Sequence, residues 1–350
     1  MAVRGAPLRL AETMLWAALG GLAFEIVGLP AGLVSGSVLA VAVAALSGRP
    51  MAVPANLTRI VLVLVGIALG SVVTPETVGG LTAYPASIAV LGAGTWCLMA
   101  GTALYLRTVH GWDGLSAVLG ASPGALSQVM ALATEPGADI GGVAVVQTMR
   151  IVLLAGGLPA ALTLIGFTGA IAAPASAPDF HVLEFLILMA FSTAVAALLN
   201  RVGFPGAWLF GAMIGSAVLN GAGLLTTHMP WWLSGLAMIA LGAVTGSRFA
   251  GTPPRLLLGY LAAAFGSFAV SSLIAAVFMS ISIALLPVRP GDVVIAFAPG
   301  AQETMMLLAL ALHLDPVFVG AHHLARFLIV SLTLPLLAGA AIRRRGRDRA

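Results

Sequence analysis

Gly120-Ala121-Ser122-Pro123-Gly124-Ala125-Leu126-Ser127-Gln128 is echoed 176 residues later by Ala296-Phe297-Ala298-Pro299-Gly300-Ala301-Gln302-Glu303-Thr304. Each stretch is a Pro-Gly step inside an apolar run, followed at once by polar side chains. Proline removes a backbone donor and clashes with the preceding turn, and glycine adds backbone freedom, so a continuous helix is not expected through either point. In a bilayer such a break survives only where protein or a water-lined cavity satisfies the freed backbone groups. Two breaks in matching halves of a chain are the sequence-level mark of a transport site.

The surrounding composition makes the bilayer reading the right one. Of 350 residues, 60% are hydrophobic and 8% charged, and mean hydropathy is +1.08. A soluble domain carries about 25% charged residues, so the composition implies an all-α polytopic membrane protein. The net charge of +4 does not indicate nucleic acid, because the charges are scattered singly through apolar sequence. The one cluster is the tail Arg343-Arg344-Arg345-Gly346-Arg347-Asp348-Arg349, which reads as a cytoplasmic anchor under the positive-inside rule, with anionic lipid or a partner as the alternative. Every basic residue is arginine. Cys97 is the single cysteine, which excludes an internal disulfide and a thiolate metal cluster. Arg4 and Arg9 precede an apolar run in the manner of a signal peptide. That run contains Glu25 and matches a later segment, so it is read as a mature helix.

Apolar segments fall at roughly 8–28, 31–47, 57–73, 81–105, 114–134 and 142–166, and again at 184–200, 205–222, 231–247, 255–286, 292–313 and 317–341. The expected organisation is a first membrane repeat over 8–166, an extracytoplasmic linker over 167–183, a second repeat over 184–341 and an Arg-rich cytoplasmic tail over 342–350. Pro30 corresponds to Pro205, Gly36 to Gly211, and the pair Gly66/Gly70 to Gly242/Gly246. Aligning 123–159 with 299–335 without gaps gives 11 identities in 37, including Asp139/Asp315, Arg150/Arg326 and Pro159/Pro335. This is an internal duplication.

Arginine placement then chooses the topology. With each Pro-Gly segment re-entrant and five true crossings per copy, 13 arginines fall inside and only Arg289 outside, leaving Arg150 and Arg326 in the membrane. With six crossings per copy the ratio drops to 11 to 3. The expectation is therefore two inverted repeats, each of five transmembrane helices plus one Pro-Gly-broken re-entrant segment, with both termini cytoplasmic.

Two constellations carry candidate chemistry. The first is the helix restart after each break: Pro123, Gly124, Ser127 and Gln128 in one copy, Pro299, Gly300, Gln302, Glu303 and Thr304 in the other. A restarting helix offers unpaired N–H groups and the positive end of its dipole, which attract an anion; the alternative is a kinked helix whose polar groups satisfy neighbouring backbone. The second is an i, i+3 polar pair on the next helix, Gln147 with Arg150 and His323 with Arg326, each pair sharing one face. An intramembrane arginine faces a cavity or an acidic partner, Glu303, Asp139 and Asp315 being available, or snorkels to the interface. His322 and His323 diverge by about 100°, so at most one is expected to reach the core, as a proton-linked or a structural histidine. Asp139 and Asp315 are read as caps, the Gly-x-x-x-Gly pairs as close-packing faces, and Glu25 and Arg201 as interfacial. The six histidines lack metal-ligand spacing, and no nucleophile elbow or phosphate loop occurs.

At Pro123-Gly124-Ala125-Leu126-Ser127-Gln128, at Asp139 to Arg150 and at His322-His323-Leu324-Ala325-Arg326 the chain resembles the bacterial AbrB family of membrane proteins, over essentially its whole length. That resemblance implies a duplicated hydrophobic module with a Pro-Gly-Gly-Leu-type motif and a His-His-Leu-x-Arg-type stretch. It also brings the labels of regulator of gene expression and ammonia monooxygenase. The sequence departs from the pattern at Ala125 and Ala301, where the second motif glycine stands, and at Gln128 and Thr304, where an acidic residue is expected and Glu303 sits one position early. The expected function is a secondary-transporter-like carrier of a small anionic or zwitterionic solute in the inner (plasma) membrane. It is expected to be no enzyme, to need no cofactor or metal, to bind no nucleic acid, and to be free to form a homo-oligomer. The alternatives are a membrane-embedded sensor that affects gene expression indirectly and, third, a membrane monooxygenase.

Overall fold

The computed structural model describes residues 6–29, 31–71, 73, 84–123, 129, 138–164, 181–204, 206–225, 227 and 229–347. Among these the regular structure is all helical. The helices are α1 (Ala6–Ile26), α2 (Gly32–Leu46), α3 (Ala55–Gly70), α4 (Tyr84–His110), α5 (Gly114–Ala121), α6 (Ile140–Leu164) and α7 (Val182–Arg201). They continue with α8 (Ala207–Gly221), α9 (Trp231–Gly246), α10 (Pro254–Leu285), α11 (Pro290–Phe297), α12 (Gln302–Ala311) and α13 (Pro316–Arg347), and a 3-10 turn, Ser247–Phe249, follows α9. Five helices are long and apolar enough to cross a membrane: Tyr84–His110, Ile140–Pro159, Val182–Arg201, Arg255–Leu285 and Pro316–Gly339. Helices α2, α3 and α8 are apolar but have only 15, 16 and 15 residues. At 1.5 Å per residue they reach about 23 Å, short of a hydrocarbon core of about 30 Å. Among the described residues, five helices thus meet full crossing length and apolarity, against the ten crossings expected.

The chain folds as two compact units, each drawing on both sides of the 167–183 stretch. The first holds Met1–Thr82, Ala155–Gly251 and Glu303–Phe318; the second holds Ala83–Leu154, Thr252–Gln302 and Val319–Ala350.

In the first unit glycine sets the helix spacing. A Cβ on Gly66 would lie 2.4 Å from Leu209 O, and one on Gly70 would lie 2.3 Å from Met213 O, so α3 meets α8 backbone to backbone. A Cβ on Gly242 would lie 2.4 Å from Ser37 Cβ, and one on Gly246 would lie 2.7 Å from Val38 O, so α9 meets α2 in the same way. Both Gly-x-x-x-Gly faces therefore pack as the sequence implies, and each presses on the second helix from the other half of the chain. Without side chains at these points the helices gain dispersion contacts that no larger residue allows. Gly36 lies as close to Gly20 of α1, and Gly211 to Ala196 of α7. Glu25 and Arg201 are exposed, as expected for interfacial residues.

The second unit is built on α4, α5, α10, α11 and most of α6 and α13. One apolar cluster joins Leu115 and Leu119 of α5 to Met99, Val143, Val330 and Leu334. Another joins Ala117 and Ala121 of α5 to Leu106, Val145, Val146 and Ala264. The eight-residue helix α5 is thus surrounded by longer helices.

Candidate functional site

The second break is directly visible. Helix α11 stops at Phe297, Ala298 is extended (ψ 130°), and α12 restarts at Gln302. The residue before a proline is driven out of the helical region, and Ala298 precedes Pro299. At the first break α5 stops at Ala121 and Ser122 is likewise extended (ψ 124°) before Pro123. Gly124, Ser127 and Gln128 lie outside the described residues.

Each broken helix leaves its last carbonyls without intrahelical donors, and the second constellation meets them. Gln147, Arg150, His323 and Arg326 are 1%, 3%, 2% and 3% exposed, which excludes snorkelling. Gln147 Nε2 donates to Leu119 O and Ser122 O, both at 2.8 Å. Arg150 Nη2 donates to Ser122 O at 2.7 Å and to Gln147 Oε1 at 2.5 Å, with a longer 3.5 Å contact from Nη1 to Ala121 O. In the other half, His323 Nε2 lies 3.2 Å from Ile295 O. Arg326 Nη2 donates to Ala296 O at 2.8 Å, and Nη1 donates to Ala298 O at 2.7 Å and Phe297 O at 3.3 Å. Arg326 Nη2 also lies 2.8 Å from His323 Nδ1. Leu119, Ala121 and Ser122 stand 176 residues before Ile295, Phe297 and Ala298, so the two caps use matching atoms.

The chemistry explains the choice of residues. A guanidinium offers five donors in a rigid fork and no acceptor, so it can meet several carbonyls at once and favours the negative end of a helix dipole. Because it cannot accept, His323 Nδ1 must hold a lone pair, and its proton must sit on Nε2, which donates to Ile295 O. Neutral His323 in that tautomer does what Gln147 does with its amide: it accepts from the arginine and donates to a carbonyl. The expectation of an acidic partner is therefore corrected. Among the described residues the hydrogen-bond partners of both arginines are carbonyl oxygens and the residue three positions earlier. Arg150 Nε, fully buried, has no partner among the described residues, and the Arg150 charge acts on Arg326 by Coulomb repulsion.

The expectation that only one of the neighbouring histidines reaches the core is also overturned. His322 is 0% exposed and lies 2.8 Å from Ser87 Oγ. Ser87 gives its own proton to Tyr84 O, so His322 Nε2 is the donor there. Helix α13 is covered on two sides, by α4 and by α11, and a 100° divergence therefore points both rings inward.

At the restart after the second break, Gln302 and Thr304 are buried, and Gln302 Oε1 and Thr304 Oγ1 have no partner among the described residues. Glu303 is half-buried. Pro299 and Gly300 are buried between the helix end and the restart.

The caps are as the sequence suggests. Asp139 Oδ1 accepts from Gly142 N at 3.0 Å, and Asp315 Oδ1 accepts from Val317 N at 2.9 Å and Phe318 N at 3.1 Å. Sequence reasoning missed three contributors. Asp113 Oδ1 caps α5 by accepting from Leu115 N and Ser116 N. Ser116 Oγ donates to Asp113 Oδ2 and accepts from Asp139 N at 2.8 Å. Tyr260 OH, from α10, donates to Asp139 Oδ2. Asp113 just before an apolar helical run is a readable N-cap signal; nothing in sequence links Tyr260 to a residue 121 positions away.

Among the described residues, fold and site define an all-helical, membrane-type protein in which a buried arginine clasps the end of a short helix before each Pro-Gly step. The chain belongs to the family described as "Transition state regulatory protein AbrB", whose model matches residues 33–341. It is 24% identical over 337 residues to the "Putative regulator AbrB" of Escherichia coli (strain K12), covering 91% of this chain and 92% of that protein. It is 32% identical over 248 residues to "Uncharacterized protein YhjN" of Bacillus subtilis (strain 168), covering 64% of this chain and 62% of that protein. The chain thus matches less than two thirds of the Bacillus protein.

Proposed function

We propose that this protein is a secondary-transporter-like carrier of a small anionic or zwitterionic solute, not an enzyme. In this reading it sits in the bacterial inner membrane with both termini cytoplasmic. It is built from two inverted repeats of about five spans, each with one re-entrant Pro-Gly segment. The observation that carries the reading is the pair of buried guanidiniums in one compact unit, each at the end of a broken helix and neither hydrogen-bonded to a carboxylate among the described residues. Carbonyl dipoles meet their hydrogen-bonding needs among the described residues, Arg150 Nε excepted, but not their net charge, and two buried like charges favour an anion between or beside them.

Two further observations support the architecture. Helices α5 and α11 have eight residues each, about 12 Å, under half of a bilayer core, so neither crosses alone. Matching contacts recur at a spacing of about 176 both in the arginine caps and in the glycine faces, as a duplicated module would give. The test is uptake by wild-type protein in liposomes, using labelled phosphate, sulfate, short carboxylates and amino acids. Saturable accumulation of one class supports the carrier; a signal no greater than in protein-free liposomes across the panel overturns it. Alanine replacement of either arginine would remove a helix cap as well as a charge, so Arg150→Lys and Arg326→Lys are the informative site variants.

A second reading rests on the name of the Escherichia coli relative, a regulator. In it the membrane core senses a solute and the arginine tail passes the signal to a cytoplasmic partner. Deleting residues 343–350 then changes transcription and leaves solute flux intact, whereas a pure carrier shows no transcriptional change.

A further inference from the structure

We infer that His323 is the proton-binding site of this protein, and that it makes the second break, but not the first, responsive to pH. The proposal rests on the carrier reading in one respect only, that the proton it takes up is coupled to solute movement.

The two caps are asymmetric. Both need, at the position three residues before the arginine, a group that accepts from the guanidinium on one side and donates to a carbonyl on the other. Gln147 supplies an amide, whose two ends do these jobs at every pH. His323 supplies an imidazole, which does them only while Nδ1 keeps its lone pair. A proton on Nδ1 would set an N–H donor against an Arg326 N–H donor 2.8 Å away, with a positive charge on each. That contact cannot persist, so Arg326 Nη2 must leave the ring, and the end of α11 loosens with it. The guanidinium and the imidazolium then present N–H groups with one acceptor missing, a need that a carboxylate or phosphate oxygen meets. Proton and oxyanion thus enter together, one positive and one negative charge, at no net cost in charge.

The groups that act on the ring are few. On its own helix these are Arg326 and His322. Helix α11 faces it with the Ile295 carbonyl, and the acid of that helix, Asp292, is ion-paired with Arg289 at 2.7 Å. Helix α4 faces His322 with the Ser87 hydroxyl, and Arg150 of α6 acts on Arg326. No carboxylate among the described residues is placed to hold a histidinium there.

The experiment compares wild type with His323→Gln, which installs in the second cap the residue the first cap already uses. Two readouts are taken between pH 7.5 and 5.5: the melting temperature in detergent, and the uptake of whichever labelled anion the liposome panel identifies. The expected result is a wild-type melting temperature that falls on acidification more steeply than that of His323→Gln, which shares every other titrating group. Uptake by wild type should change about tenfold per pH unit over part of the range, following the protonated fraction of one site, and His323→Gln should show a flat ratio whatever its absolute rate. Parallel melting curves for the two proteins overturn the cap's need for a neutral ring, and no proton uptake by wild type on adding an anion overturns the proton site. Diverging melting curves show a folded ring that resists the proton more than the unfolded one does. Proton uptake from weakly buffered detergent solution on adding the panel anions at matched pH, present in wild type and absent in His323→Gln, keeps the proton site. Without any liposome uptake, that result overturns the carrier reading alone. Diverging melting curves with equal pH dependence of uptake overturn the coupling.

Discussion

Replacing His323 by leucine isolates the cap without changing net charge, because the structure requires a neutral ring. The substitution keeps an apolar side chain of similar size and removes two interactions: the bond to Ile295 O and the lone pair that receives Arg326 Nη2. An orphaned buried carbonyl costs about 1–3 kcal/mol, and an orphaned donor on a charged group costs about 2–3 kcal/mol. The expected loss is therefore about 3–6 kcal/mol, a large share of a typical stability of about 5–15 kcal/mol. His323→Gln restores both interactions in the form seen at Gln147 and should stay within about 1 kcal/mol of wild type. The same contrast holds at the first break, where Gln147→Leu should be damaging and Gln147→His mild. The assay is the melting temperature of detergent-purified protein at pH 7.5, where a loss of this size corresponds to a drop of about 4 °C or more. Equal stability of the leucine and glutamine variants would falsify the two-sided role assigned to this position.

Gly70→Ala places a methyl where 2.3 Å separates it from Met213 O, and should cost about 1–3 kcal/mol through forced separation of α3 and α8; wild-type thermal stability would contradict that contact. Asp139→Asn and Tyr260→Phe, combined in a double-mutant cycle, should show a coupling of about 1–2 kcal/mol, since one hydrogen bond joins them and Asp139 also caps α6; additive losses would remove Tyr260 from the network. A reporter fused near Ala173 should read as extracytoplasmic under the inverted-repeat topology, and a cytoplasmic signal there would reject it.

How far the sequence carried this account depends on distance along the chain. The Pro-Gly breaks and the Asp139 and Asp315 caps act through neighbours a few residues away, so residue type and spacing were enough to place them; the Gly-x-x-x-Gly spacing marked packing faces but not their partners in the other half of the chain. The i, i+3 pairs were equally legible as pairs. Their purpose was not, because the groups they serve are backbone carbonyls 25 to 30 residues earlier, and a carbonyl leaves no trace in residue identity. The search for a charged partner pointed at Glu303, Asp139 and Asp315, when the compensating dipoles were at Leu119, Ser122, Ile295 and Ala298. The burial of His322 was missed for a related reason: helical periodicity gives the angle between two side chains but not how many sides of the helix are covered. The short lengths of α2, α3 and α8 were already in the apolar runs 31–47, 57–73 and 205–222, which have 17, 17 and 18 residues against the ~20 that a span needs.

Arg150 and Arg326 bring two positive charges into the interior of one compact unit, and the account stands on their use for an anion. The most direct test is saturable uptake of labelled phosphate, sulfate, short carboxylates and amino acids by wild-type protein in sealed liposomes, repeated with Arg150→Lys and Arg326→Lys. The account predicts accumulation of one anionic or zwitterionic class, with a higher KM in both lysine variants. Flux indistinguishable from protein-free liposomes for every solute, or a KM unchanged in both variants, would contradict it.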